Sequence, residues 1–209
     1  MSPARPPLLA EVEVRLEEVA AGLARALHLP GGEALRRSRG FAGLFALVNG
    51  GLSIGLMACV AYLTHEPLVF PSLGPTAFLI FFTPLAASSS PRNAVYGHLI
   101  GIVMGVLALF VFGLLNAGPT ISEGVSVPRI GAAAFSLGFT SALMIWLRVP
   151  HPPAGATTMI VSLGMITSMT GLVAIMFGVV LLLAQAVVIN RFAGIDYPLW
   201  SHPKDLTNR

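Results

Sequence analysis

A chain of 209 residues in which 55% are hydrophobic and 10% charged cannot cover a water-soluble fold of its size, for soluble domains carry about 25% charged residues. The formal net charge of +3 comes without basic residues interleaved with aromatics, which excludes a nucleic-acid surface. The single cysteine, Cys59, excludes a disulfide or zinc framework within one chain.

Residues 1–40 come first. Leu9, Val12, Leu16, Val19, Leu23 and Leu27 recur at three- and four-residue spacing, and Glu11 lies one turn before Arg15, so Leu8–Leu29 reads as an amphipathic helix. Its acidic residues argue against a secretory signal and against a polybasic lipid anchor. The expectation is a cytosolic N-terminal helix and linker, ended by Pro30, Gly31 and Gly32, with Arg36, Arg37 and Arg39 leading to the membrane.

Six hydrophobic segments follow: Phe41–Thr64, Leu73–Ala87, Val95–Leu115, Ile130–Leu147, Ala154–Ser168 and Gly171–Asn190. They define an all-α integral membrane domain over residues 41–192, with 193–209 as a cytosolic C-terminal tail. The second and fifth are short of the roughly 20 residues that a comfortable span needs, and each follows a stretch rich in Pro and Gly. If all six cross, Arg36, Arg37, Arg39, Arg92, Arg148, Arg191 and Lys204 share one side and Arg129 lies on the other. The positive-inside rule then places both termini in the cytoplasm, at a plasma (inner) membrane.

The two short segments open alike. Pro71-Ser72-Leu-Gly74-Pro-Thr76-Ala and Pro152-Pro153-Ala-Gly155-Ala-Thr157-Thr158 both read Pro-x-x-Gly-x-Thr-x before three apolar residues. Each is the middle segment of its half, which predicts a 3+3 inverted repeat with broken helices. Pro71, Pro152 and Pro153 would hold the chain extended on the way to each helix. Helices that start inside the membrane leave N–H groups needing partners, so their starts must line a cavity. Two such N-termini meeting near the midplane suit a small anion. Ser72, Gly74, Thr76, Gly155, Thr157 and Thr158 are the candidate substrate-binding residues. The competing reading is that the prolines shape helix starts and the hydroxyls cap backbone.

His98, about two turns into the third segment, and His151, at the head of the fifth, complete that set. An imidazole with an unperturbed pKa of about 6.5 can donate to an anion or exchange protons. No Asp or Glu lies within any of the six segments, so a carboxylate cation site is not expected. Arg92 and Asn93 read as a cap of the third helix that also meets lipid phosphate. Asn49, Ser53, Asn116, Ser162, Gln185 and Asn190 are candidates for hydrogen bonds between helices. The spacings Gly97-x-x-x-Gly101-x-x-x-Gly105 and Gly51-x-x-x-Gly55 favour close helix contact, within the subunit or in a homo-oligomer.

Leu147-Arg-Val-Pro-His151-Pro152-Pro153-Ala-Gly155-Ala-Thr157 resembles the signature of the HPP family of integral membrane proteins. Pro71-Ser-Leu-Gly74-Pro-Thr-Ala, continuing to Ser90-Pro91-Arg92-Asn93 and Gly97-His98, is similar to a second block of that family. The resemblance covers about Phe41 to Phe192 and implies transport, with nitrite the substrate associated with plant and cyanobacterial relatives. A small-anion transporter or channel, without enzymatic activity, metal or cofactor, is therefore the leading expectation. The rivals are a membrane sensor or assembly subunit that moves nothing, and an intramembrane metal or redox protein using His65, His98 and His151.

Overall fold

The computed structural model describes residues 39–65 and 68–201. The amphipathic helix expected over Leu8–Leu29 lies outside the described residues. In chain order the elements are α1 (Arg39–Thr64), α2 (Leu73–Phe82), a 3-10 turn (Ala87–Ser89), α3 (Pro91–Val111), α4 (Thr120–Glu123), α5 (Val127–Trp146), α6 (Ala154–Ser162) and α7 (Met169–Phe192). No strand occurs among the described residues. Four helices, α1, α3, α5 and α7, are long and apolar enough to cross a membrane.

The short segments are shorter still as helices. With 10 residues in α2 and 9 in α6, they rise only about 15 and 13 Å, half of a hydrocarbon core of about 30 Å. Helix α2 stops before Pro84 because a residue preceding proline avoids the α region, and Thr83 sits at φ −131°, ψ 59°. Helix α6 ends at Ser162, and just past its cap Gly164 has a φ of +78°, the left-handed conformation that favours glycine. The third helix starts earlier than its apolar run suggests. Ser90 caps it by accepting from the Asn93 N–H, with Pro91 in the first turn. Ser168 caps α7 in the same way through Gly171.

Contacts between ends fix the helix directions. At one edge Arg92 N–H donates to Trp200 O, Arg92 Nη1 to Arg148 O, Tyr197 Oη to Ser89 O and Asn190 Nδ2 to Ile80 O. The starts of α3 and the ends of α2, α5 and α7 therefore lie together. At the other edge Thr120 N–H donates to Leu163 O, and Arg129 to Ser162 O and Gly118 O. So α3 and α6 run one way and α5 runs the other.

Helix α3 is the centre of the bundle, with 50% of its apolar window buried against 17% for α1. Its glycines set the closest approach. A Cβ at Gly97 would lie 2.8 Å from His151 Cβ, one at Gly101 2.8 Å from Ala154 O, and one at Gly105 2.6 Å from Val161 Cβ. This stripe seats α6 within the same chain. A Cβ at Gly51 or Gly55 on α1 would meet nothing within 4 Å among the described residues. On α7, Gly178 admits the Leu68 carbonyl, 2.9 Å from where its Cβ would be, with Leu73 and Met57 beside it. The start of α2 is thereby held against the middle of α7. Ile195 and Tyr197 are buried, so the packed unit continues past residue 192 into the stretch read as a tail.

Candidate functional site

The two short helices begin beside one another. Thr76 in the first turn of α2, His151 just before α6, Thr157 in the first turn of α6 and His98 on α3 are all fully buried. Thr76 Oγ1 lies 3.0 Å from His98 Nε2 and 3.2 Å from His151 Nε2. His98 Nδ1 lies 2.7 Å from Thr157 Oγ1, and His151 Nδ1 lies 2.7 Å from the carbonyl oxygen of Ser88. The two imidazole centroids are 5.0 Å apart. Thr76, His98, His151 and Thr157 thus form one buried cluster.

The Ser88 carbonyl orders this chain, because a carbonyl only accepts. His151 must carry its proton on Nδ1, which leaves Nε2 of the neutral ring as an acceptor. The Thr76 hydroxyl then donates to His151 and accepts from His98 Nε2–H. His98 Nδ1 in turn accepts from Thr157. Every imidazole nitrogen is satisfied with both rings neutral.

The turn that presents Ser88 is itself fastened. Asn93 Nδ2 donates to Ala87 O at 2.9 Å, and the Tyr197 hydroxyl donates to Ser89 O at 2.6 Å. Burial pushes the Tyr197 phenol well above its ordinary range, so it stays a donor. Arg92 Nη1 donates to Asn93 Oδ1 and Arg148 O, and its guanidinium lies 5.8 Å from the Tyr96 ring centroid. The cap read into Arg92 and Asn93 thus belongs to Ser90 and Asn93, and Arg92 ties α3 to the end of α5.

Other expected site residues lie elsewhere. Ser72 is buried and its carbonyl oxygen lies 3.0 Å from Thr76 Oγ1, while its own hydroxyl has no partner among the described residues. Thr158 donates to Ala154 O and accepts from Thr140, facing α3 and α5. Gly74 is exposed, and Gly155 is part-exposed with the Leu137 side chain 3.3 Å from where a Cβ would be. Neither glycine lines the cluster. Pro71 and Pro152 are exposed and Pro153 is buried. The expectation of free N–H groups at the start of α6 is also corrected: Ala154, Gly155 and Ala156 donate to the carbonyls of His151, Pro152 and Pro153. The donors at the junction are hydroxyls and imidazoles.

Three contributors escaped the sequence reading. Ser88 acts through its carbonyl and Tyr197 sits beyond the last apolar run. Arg129, 2% exposed, caps the Ser162 carbonyl at the C-terminus of α6, where a cation also meets the negative end of the helix dipole. Its signal was a lone arginine at the start of an apolar segment. Among the interhelical candidates, Asn190 reaches α2, Asn49 bonds Phe45 O in its own helix, and Asn116 is exposed. Ser53 Oγ, Ser162 Oγ and Gln185 Oε1 have no partner among the described residues.

His65 is exposed beyond the end of α1, away from the His98–His151 pair, and among the described residues no three His, Cys, Asp or Glu are grouped to hold a metal. A groove of about 640 Å³ between α3 and α7 is lined by apolar side chains such as Leu99, Val103, Phe110 and Met176, and it does not reach the cluster.

A helical bundle with four apolar spans, two half-length helices and a buried polar junction between them defines a polytopic membrane protein. The transmembrane region of the HPP family matches residues 37–198, and the chain belongs to that family. Two transmembrane proteins of Dictyostelium discoideum are similar to it. One is 29% identical over 134 residues, covering 62% of this chain and 44% of its own length. The other is 27% identical over 126 residues, covering 58% and 37%. The chain thus spans less than half the length of these relatives. No solved structure matches it.

Proposed function

We propose that this protein is a transporter or channel for a small inorganic anion, with its site at the junction of α2 and α6. The observation that carries the reading is the Thr76–His98–His151–Thr157 cluster, wholly buried within the bundle of apolar helices and, among the described residues, bonded to no carboxylate. Polar groups in the interior of a membrane bundle are costly and mark pathways. Hydroxyls and imidazoles are a donor-rich set. Nitrite is the leading candidate because it is the substrate that the family resemblance implies.

We read the six segments as a 3+3 inverted repeat in which α1–α3 and α5–α7 run oppositely. Support comes from the matching Pro-x-x-Gly-x-Thr openings of α2 and α6, and from the serine caps of α3 and α7. The edge carrying Arg92, Arg148 and Arg191 would then be cytoplasmic at the plasma (inner) membrane, by the positive-inside rule.

The test is uptake by proteoliposomes at pH 8, where little membrane-permeant nitrous acid exists. Nitrite, nitrate, formate and chloride are supplied in turn. Saturable uptake of one of them above protein-free vesicles supports the reading; no flux of any would remove it in favour of a sensor or assembly subunit. A second reading has one observation behind it, because Nε2 of His98 and of His151 converge on a single point at Thr76. Stoichiometric copper or zinc in the purified protein would favour a histidine metal site.

A further inference from the structure

Thr76 Oγ1 has three neighbours within hydrogen-bond distance and one proton. Ser72 O, His98 Nε2 and His151 Nε2 lie at 3.0, 3.0 and 3.2 Å. With both rings neutral the hydroxyl donates to His151, and its contact with the Ser72 carbonyl goes unused. If His151 Nε2 takes a proton, the ring donates from both nitrogens, to Ser88 O and to Thr76. The Thr76 proton then turns to Ser72 O, and its oxygen accepts from both rings. All three contacts are met, and no heavy atom has to move. The cluster holds two proton inventories on one geometry.

The second inventory carries a buried positive charge. Among the described residues, the groups around His151 offer nothing to balance it. From α2 it faces Thr76, from α3 His98, and from the 3-10 turn the carbonyl of Ser88. Just beyond α5 the charged group nearest in sequence is Arg148, a cation, and α3 adds Arg92 on its carbonyl. Beyond α7, Tyr197 donates to Ser89 O, and Arg191 Nε to Tyr197 O. Asp196 is exposed outside the bundle, and Glu123 lies exposed on α4 at the opposite edge. A buried imidazolium is sustained only by a paired charge. Here that charge must arrive with the ligand.

We propose that His151 is the proton-loading residue of the site, taking up one proton on Nε2 with each anion, while the Thr76 hydroxyl switches from His151 to the Ser72 carbonyl. This rests on the anion-transport reading and makes that transport electroneutral proton–anion symport. One N–H bond forms at His151 Nε2 from a solvent proton, the covalent O–H of Thr76 is kept, and loading adds no net charge. His98 is a positioning residue, since its Nε2–H holds the Thr76 oxygen in either state.

Calorimetric titration of the full chain in lipid nanodiscs at pH 7 tests this. Nitrite, nitrate, formate and chloride are each added in two buffers of different ionisation enthalpy, whose difference in heat counts protons taken up. We expect one proton per bound anion, and uptake lost in His151→Gln. Thr76→Val should weaken binding at least about tenfold, the scale of a charge-assisted hydrogen bond, and Thr76→Ser should restore both binding and proton uptake. Saturable binding with no proton uptake by the wild-type chain overturns the coupling and leaves the anion site standing. Binding of none of the four anions overturns both. The wild-type measurement decides without relying on any variant to fold.

Discussion

His151 Nδ1 meets the carbonyl oxygen of Ser88 at 2.7 Å, across 63 positions of sequence. That contact assigns the ring its tautomer and turns Nε2 toward Thr76. It also joins the start of α6 to the turn between α2 and α3. The two halves of the chain are locked where the candidate site lies.

Close packing of α6 on α3 makes the glycines unequal. Gly101→Leu would drive a side chain into the Ala154 carbonyl, which is backbone and cannot yield. Gly155→Leu meets only the end of the Leu137 side chain. The expected order of thermal stability in detergent is wild type, then Gly155→Leu, then Gly101→Leu, the last with little monodisperse protein. Equal stability for the two variants would contradict the described packing.

Gly74 and Gly155 show where sequence reading went astray. Thr76 and Thr157 were identifiable from the repeated Gly-x-Thr spacing, and both face the cluster. Two residues along a helix turn about 200° around it, so a glycine two positions before an inward threonine faces outward. The same pattern that found the threonines excluded the glycines. The short second and fifth helices were legible from Pro and Gly, as was His98 from its depth in the third segment. Ser88 was not, because any residue supplies a carbonyl. Tyr197 was not, because its burial depends on how the chain folds back after α7.

Arg129 holds the end of α6. Arg129→Met would leave the carbonyls of Ser162 and Gly118 without that donor, and a buried unsatisfied group costs about 1–3 kcal/mol. Gly164→Ala should also destabilise, since it combines a positive φ with a Cβ 2.8 Å from the guanidinium. Thermal unfolding in detergent reads both. An unchanged midpoint for Arg129→Met would remove the capping role.

Tyr197→Phe deletes the donor to Ser89 O and should cost about 1 kcal/mol. Burial raises the phenol's folded pKa above its unfolded value, so the fold favours the protonated form. Its contribution is complete below the ordinary tyrosine pKa of about 10 and declines as pH rises beyond it. The wild-type chain should therefore lose part of its advantage over Tyr197→Phe in alkaline solution. A constant difference between pH 8 and pH 11 would contradict this.

The glycine face of α1 bears on assembly. A Cβ at Gly51 or Gly55 meets nothing within 4 Å among the described residues. Gly51→Leu should leave the fold of the subunit intact and weaken a homo-oligomer formed through α1, as read by native mass spectrometry. Unchanged oligomers in Gly51→Leu and Gly55→Leu would place any interface elsewhere.

The central claim is that the hydroxyl–imidazole junction is the transport site. Its most direct test is the initial rate of nitrite uptake at pH 8 by proteoliposomes holding equal amounts of wild type, His151→Gln or Phe177→Leu, the last altering an exposed apolar position on α7. The account predicts saturable uptake by wild type and Phe177→Leu, and loss of at least about tenfold in His151→Gln, the worth of one charge-assisted hydrogen bond. Equal rates in all three, with equal insertion, would contradict it.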